Sequence, residues 1–261
     1  MELYYRAFGK GYPVLVFHGL YGSSDNWQTI GKQLSDKHTV IIPDLRNHGQ
    51  SFHSDEMDFE SMSHDILKLY KKLNLKKCIV MGHSMGGKLA MKLALDHPER
   101  VEKLIIIDVA PKSYLKGYSK HYEFHKNVVN IMNSMDLSSI GSRREAEDIM
   151  KQRLLSERTV KFLLKNLKSD KKEGFKWRLN MNAIHRNLYK LIDGNEEEAG
   201  SYIDPALFIK GANSDYILEN DYELIYKIFP KADIQSIENA GHWVHAEQPE
   251  KFLEIIKQFI N

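Results

Sequence analysis

Gly82, Ser84 and Gly86 alternate within the run VMGHSMGGKLA at residues 80–90, and that spacing is the chain's first offer of chemistry. The residues just before it, 78–81, are apolar, and a helical pattern opens directly after Ser84. A strand that turns into a helix through such a serine presents the hydroxyl at the strand end, because the glycines let strand and helix pass without side-chain collision. A serine hydroxyl is a weak nucleophile near neutral pH, so the arrangement needs an adjacent base.

Twelve histidines compete for that role. His242 follows Gly241 in a loop between the last expected strand and the last expected helix, where the base falls in the chain order Ser, Asp, His. His245 lies three residues on and falls towards the helix start. His121 and His125 share a helical face, but Glu123 between them is misplaced for H-E-x-x-H, so they read as helix surface or cavity lining rather than metal ligands. A tetrahedral intermediate also needs donors for its oxyanion. The backbone N–H groups of Met85 and of Leu20, the latter in the turn HGLYG at residues 18–22, fit that need, with His18 and His83 as packing and hydrogen-bonding support. Two aspartates keep the chain order: Asp108, after the apolar run 103–107, and Asp215, in KGANSDYI at residues 210–217. The acid must accept the Nδ1–H of the histidine and stabilise the imidazolium.

These groups need a scaffold. Short apolar runs at residues 13–17, 39–42, 78–81, 103–107, 207–210 and 234–237 read as buried strands, and amphipathic stretches between them read as helices. Strands without polar alternation, spaced by helices, predict a parallel sheet covered on both faces. Between roughly residues 111 and 202 the strand signal vanishes, and helices are expected at 144–155, 156–167 and 177–191. The expected division is therefore a core of residues 1–111 and 203–261 with a helical cap of residues 112–202. Such a cap would roof the carboxyl ends of the strands, where open α/β folds bind ligands.

The bulk numbers exclude several classes. Over 261 residues, 37 Lys+Arg and 35 Asp+Glu leave a net charge of +2, which gives no footprint for nucleic acid. The basic runs at 68–77 and 168–172 read as solvated surface, and the acidic patch at 194–199 as an exposed loop. The single cysteine, Cys78, sits in an apolar run, reads as a buried inert thiol, and suits a reducing compartment. No basic segment followed by an apolar core opens the chain, and no apolar run approaches the roughly 20 residues of a membrane span. A soluble cytoplasmic protein is expected.

The serine turn resembles the nucleophile elbow of the α/β-hydrolase superfamily, and the resemblance covers essentially the whole chain. Three further stretches are similar to patterns of the YbfF-type esterases: DLRNHGQS at residues 44–51, DVAP at 108–111 and KWRLN at 176–180. The resemblance implies an α/β-hydrolase fold, with a mostly parallel central sheet flanked by helices and a helical cap inserted after strand six. It implies hydrolysis of short- to medium-chain acyl esters, or thioesters, through an acyl-enzyme and without a cofactor. The partner is then a small-molecule acyl ester, with oligomeric state left open. Many α/β-hydrolases carry their acid three residues past a glycine after strand seven; counting from Gly211, the third residue is Ser214 and Asp215 is the fourth. YbfF-type enzymes similarly have serine there and draw the acid from the end of strand six. The resemblance thus favours Asp108, with Asp215 as the alternative and Ser214 as a helper. Cap residues Tyr114, Tyr122, Phe124 and Trp177 are candidates for an apolar acyl pocket. The same fold hosts C–C bond hydrolases, other reactions and ligand-binding relatives with little turnover.

Overall fold

Unbroken apolar runs are what strands look like when both of their faces are covered. The computed structural model, which describes residues 1–115, 119–154, 156–170, 174–193 and 200–261, has strands at all six expected runs. In chain order come β1 (Tyr5–Phe8), β2 (Tyr12–Phe17), α1 (Gln28–Leu34), β3 (His38–Pro43), α2 (Phe59–Lys72), β4 (Cys78–His83), α3 (Met85–Asp96) and β5 (Val101–Ile107). An inserted segment follows, with α4 (Lys120–Ser134), α5 (Arg143–Lys151), α6 (Glu157–Leu164), β6 (Leu167–Asp170), β7 (Gly174–Trp177) and α7 (Met181–Ile192). The chain then returns through β8 (Ala206–Gly211), α8 (Tyr222–Ile228), β9 (Ala232–Ile237), α9 (Val244–Glu247) and α10 (Pro249–Ile260).

Seven strands form one sheet in the order β1-β3-β2-β4-β5-β8-β9, parallel throughout except for β1. The insertion leaves from β5, the strand that family counting numbers six. Register sets the chemistry: Phe17 pairs with Gly82 and His83 with Ile107, so β2, β4 and β5 end level with one another. His18, Ser84 and Asp108, the residues next in sequence, therefore emerge side by side.

The two faces alternate as a strand's period of two requires. Leu15, Phe17, Leu104 and Ile106 join one buried cluster with residues of α2, α3 and the inserted helices, including Val128, Leu163 and Ile184. Val14, Val16, Ile105 and Ile107 join the other with Ile30 and Leu34 of α1 and Phe252 and Ile256 of α10. Burying each such side chain stabilises the fold by about 1.5–3 kcal/mol. The inserted helices start at side-chain caps: Ser119, Ser142, Ser156 and Asn180 each accept from a backbone N–H three residues on. Replacing such a cap by alanine typically costs about 1 kcal/mol.

The insertion differs from its all-helical expectation. Residues 167–170 and 174–177 pair as an antiparallel ladder, and the helix expected from 177 begins only at Met181, after the Asn180 cap. Each strand of this ladder has only four residues, and β6 reads LKSD, so neither shows the apolar run of a buried sheet strand. The four-residue edge strand β1 was also not expected. Lys171 and Lys172 of the basic run, residue 155 of an expected helix, and the acidic patch 194–199 lie outside the described residues. Among the described residues no helix is long and apolar enough to cross a membrane.

Candidate active site

Two of the stretches that carry the family resemblance meet in space. Asn180 donates from its backbone N–H to Asn47 O at 3.0 Å and from Nδ2 to Asn47 Oδ1 at 3.1 Å. Further along α7, Asn187 Nδ2 donates to Asp55 O at 2.9 Å and Arg186 pairs with Asp55 at 2.5 Å. The insertion is thereby fastened to the loop after β3.

That loop also holds the turn at residues 18–22. Leu45 N–H donates to His18 Nε2 at 3.0 Å, so the proton of His18 is on Nδ1, which donates to Gly19 O at 2.9 Å. Tyr21 N–H donates to His48 Nε2 at 3.3 Å, and His48 Nδ1 faces Arg46 O at 2.9 Å. Both rings must be neutral to accept these bonds. Burial holds them so, pulling His18 down to about 4 and His48 to about 3. Asp44, 1% exposed, accepts from Ser24 and Gln50 N–H groups and closes the loop from below.

Ser84 links β4 to α3 with φ 53° and ψ −120°, a region that L-residues rarely enter. A Cβ on Gly82 would lie 2.1 Å from Gly86 O, and one on Gly86 would lie 2.4 Å from Phe17 O. The spacing of glycines around Ser84 is therefore imposed by backbone contact. Asp108, at the end of β5, also sits at positive φ, 51°.

Asp108 is fully buried, and its carboxylate gathers three donors. Gly211 N–H donates to Oδ1 at 3.1 Å; Ser214 Oγ and His242 Nδ1 reach Oδ2 at 2.5 and 2.7 Å. Asp215 turns elsewhere: it pairs with Lys120 and with His121 Nε2 at 3.5 Å, and is about one-third exposed. The structure thus joins both His242 and Ser214 to Asp108, while Asp215 pairs with Lys120 and His121.

The loop of His242 is braced on three sides. His83 Nε2 donates to His242 O at 2.8 Å, and burial holds His83 well below its ordinary pKa. Glu247 accepts from Gly241 N–H at 2.7 Å and from Trp243 N–H at 3.3 Å, and pairs with Arg158 of α6 at 3.0 Å. Tyr216 stacks on the imidazole, with ring centroids 3.9 Å apart. Tyr216 and Glu247 were not singled out from sequence. His245 instead stacks on Trp27 at 4.1 Å, with burial pulling it down to about 3.

Ser84 opens onto two hollows. A cavity of about 990 Å³ has Ser84, His242, Leu20, Phe124, Phe162 and Trp243 in its wall. A recess of about 20 Å³, which Ser84 also borders, is walled by Met85, Lys88, Val109, Tyr114, Leu191 and Ile192. Of the aromatic candidates, Tyr114 lines the recess and Phe124 the cavity. Trp177 packs within the insertion, its Nε1 donating to Met132 O at 3.2 Å, and Tyr122 is partly buried against the core.

A mostly parallel sheet, a serine on a strained strand-to-helix turn and a buried aspartate bonded to a histidine that lines the same cavity define a class, and the family model described as alpha/beta hydrolase fold matches residues 12–249. The chain belongs to the α/β-hydrolase family. It is 33% identical to esterase YbfF of Escherichia coli, over 95% of this chain and 93% of that protein. It is 36% identical to the sn-1-specific diacylglycerol lipase ABHD11 of Danio rerio, over 100% of this chain and 83% of that one. Among solved structures, a marine microorganism esterase superposes with a TM-score of 0.96 at 39% identity, covering 99% of both chains.

Proposed function

We propose that the protein is a serine ester hydrolase acting on small-molecule carboxylic esters or thioesters through an acyl-enzyme. The observation that carries this reading is the 2.7 Å Asp108–His242 hydrogen bond beside the cavity onto which Ser84 opens. With Nδ1–H committed to Asp108, neutral His242 has its proton-free Nε2 available as a base. It takes the Ser84 proton as Oγ attacks the acyl carbon, and Asp108 stabilises the imidazolium without itself being protonated. The N–H groups of Leu20 and Met85 receive the oxyanion. Collapse of the intermediate breaks the bond to the leaving oxygen or sulfur, which takes the proton from Nε2. Water deprotonated by His242 then releases the acid and restores Ser84.

In this reading residues 112–202 act as a cap over a core of residues 1–111 and 203–261, and Ser214 supports Asp108. The buried single cysteine fits a cytoplasmic setting. The test is covalent: a fluorophosphonate should label Ser84 stoichiometrically, and p-nitrophenyl acetate should give a burst that Ser84→Ala abolishes. A folded protein that neither labels nor bursts would refute the reading.

A further inference from the structure

The two hollows beside Ser84 are unequal, and their walls assign the two halves of an ester. Resting on the hydrolase reading above, we propose that the acyl half is short, about two or three carbons, and lies in the recess, while the alcohol or thiol half fills the large cavity.

Leu20, Ser84, His121, His125 and Tyr216 border both spaces, so the nucleophile stands at the neck between them. An ester bound with its carbonyl carbon at Ser84 can send one arm into each space. His242 borders the large cavity, and the recess is walled by other residues. The leaving atom must face His242 to collect its proton, so the leaving arm runs into the large cavity. The acyl arm is then directed past Met85, whose N–H is the proposed oxyanion donor, into the recess.

Size follows from volume. About 20 Å³ admits on the order of one water molecule or one methyl group. The leaving side, at about 990 Å³, is at the upper end for small-molecule sites. The recess is also cross-tied against expansion. Lys88 Nζ donates to Lys112 O at 3.1 Å and to Ile192 O at 2.9 Å, joining α3 to the end of α7. Tyr114 accepts from Ala110 N–H at 2.9 Å, donates to Tyr216 O at 2.5 Å, and gives its own N–H to Ile192 O at 3.1 Å. Widening the recess therefore breaks several buried hydrogen bonds at once.

The test uses two ester series on the full chain. With a constant leaving group, p-nitrophenyl acetate, butyrate and octanoate should show kcat/KM falling by about tenfold or more at each step. With a constant acetyl group, ethyl, hexyl and decyl acetates should show no such fall. Leu191→Ala, which opens the recess wall without touching the hydrogen bonds above, should raise the octanoate-to-acetate ratio by about tenfold. Octanoate turned over as well as acetate, or acetates rejected as the alcohol grows, would overturn the assignment. In either case fluorophosphonate labelling of Ser84 reads the hydrolase mechanism separately: labelling with the wrong length profile defeats the recess alone, and absent labelling defeats the reading beneath it.

Discussion

The imidazole of His242 lies on the phenol ring of Tyr216, the two planes 18° apart, with the Tyr216 hydroxyl 3.4 Å from His125 Nε2. An offset aromatic contact of this kind contributes about 0.5–1.5 kcal/mol beyond area burial. It limits rotation of a ring that Asp108 grips at one atom only. Tyr216→Ala should lower kcat by about tenfold, with KM changed less, and Tyr216→Phe, which keeps the stack, should stay near wild type. Equal losses in both variants would show that the hydroxyl, not the stack, is what matters.

The acid assignment separates by paired substitution. Asp108→Asn should lower kcat by about 10⁴, the loss expected when the histidine is held in the wrong tautomer. Asp215→Asn should leave kcat within a fewfold, because Asp215 is engaged with Lys120 and His121 at the cavity rim. Ser214→Ala removes one of three donors to Asp108 and should cost about tenfold or somewhat more. Steady-state kinetics on one p-nitrophenyl ester ranks all three.

Glu247 and Arg158 give an asymmetric pair. Arg158 is about half exposed, so Arg158→Ala should change stability by less than about 1 kcal/mol. Glu247→Ala strips an acceptor from Gly241 and Trp243, on either side of His242. It should destabilise by about 2–3 kcal/mol and depress kcat as well. Urea unfolding alongside kinetics measures both, and a Glu247→Ala protein with unchanged midpoint would contradict the bracing role.

Five buried histidines set an acid limit. Burial lowers His83 well below its ordinary value, His18 to about 4 and His48, His125 and His245 to about 3, against 6.5 for the free side chain. The folded state keeps these rings neutral while the unfolded chain protonates from about pH 6.5 downward. More protons are then bound by the unfolded state, so stability is full above that pH and falls as pH drops towards 3–4. Urea unfolding should give at least about 3 kcal/mol less at pH 4.5 than at pH 7, the decline starting above the range where carboxylates titrate. A flat profile from pH 7 to 4.5 would contradict it.

Legibility followed range along the chain. The serine turn was readable because its requirements are local: glycines two residues either side, an apolar run before and a helix after. Loop position and chain order singled out His242, which the structure places against Asp108 and in the wall of the cavity. The partner of His242 was not readable from spacing alone, since Asp108 lies 134 residues away and is brought there by β5 packing between β4 and β8. Spacing offered two aspartates, and only the family resemblance favoured one. The β6–β7 ladder stayed hidden because each strand has only four residues and β6 reads LKSD, too short and polar to stand out, and Tyr216 because stacking has no sequence signature. Nor did the motif at 44–51 disclose its work, which is to hold the turn at residues 18–22 through two neutral histidines and to receive Asn180.

Ser84 occupies a torsional region suited to glycine, and the fold holds it there by contacts made elsewhere. A residue in such a conformation carries about 1–3 kcal/mol of unfavourable backbone energy. Ser84→Gly should therefore melt at a higher temperature than the native protein while losing all turnover. Durability and reactivity are opposed at a single pair of dihedral angles. The turn that lifts the Ser84 hydroxyl to the strand end is thus also where the scaffold stores backbone strain, so a screen for heat resistance alone should favour glycine there and yield an inert shell.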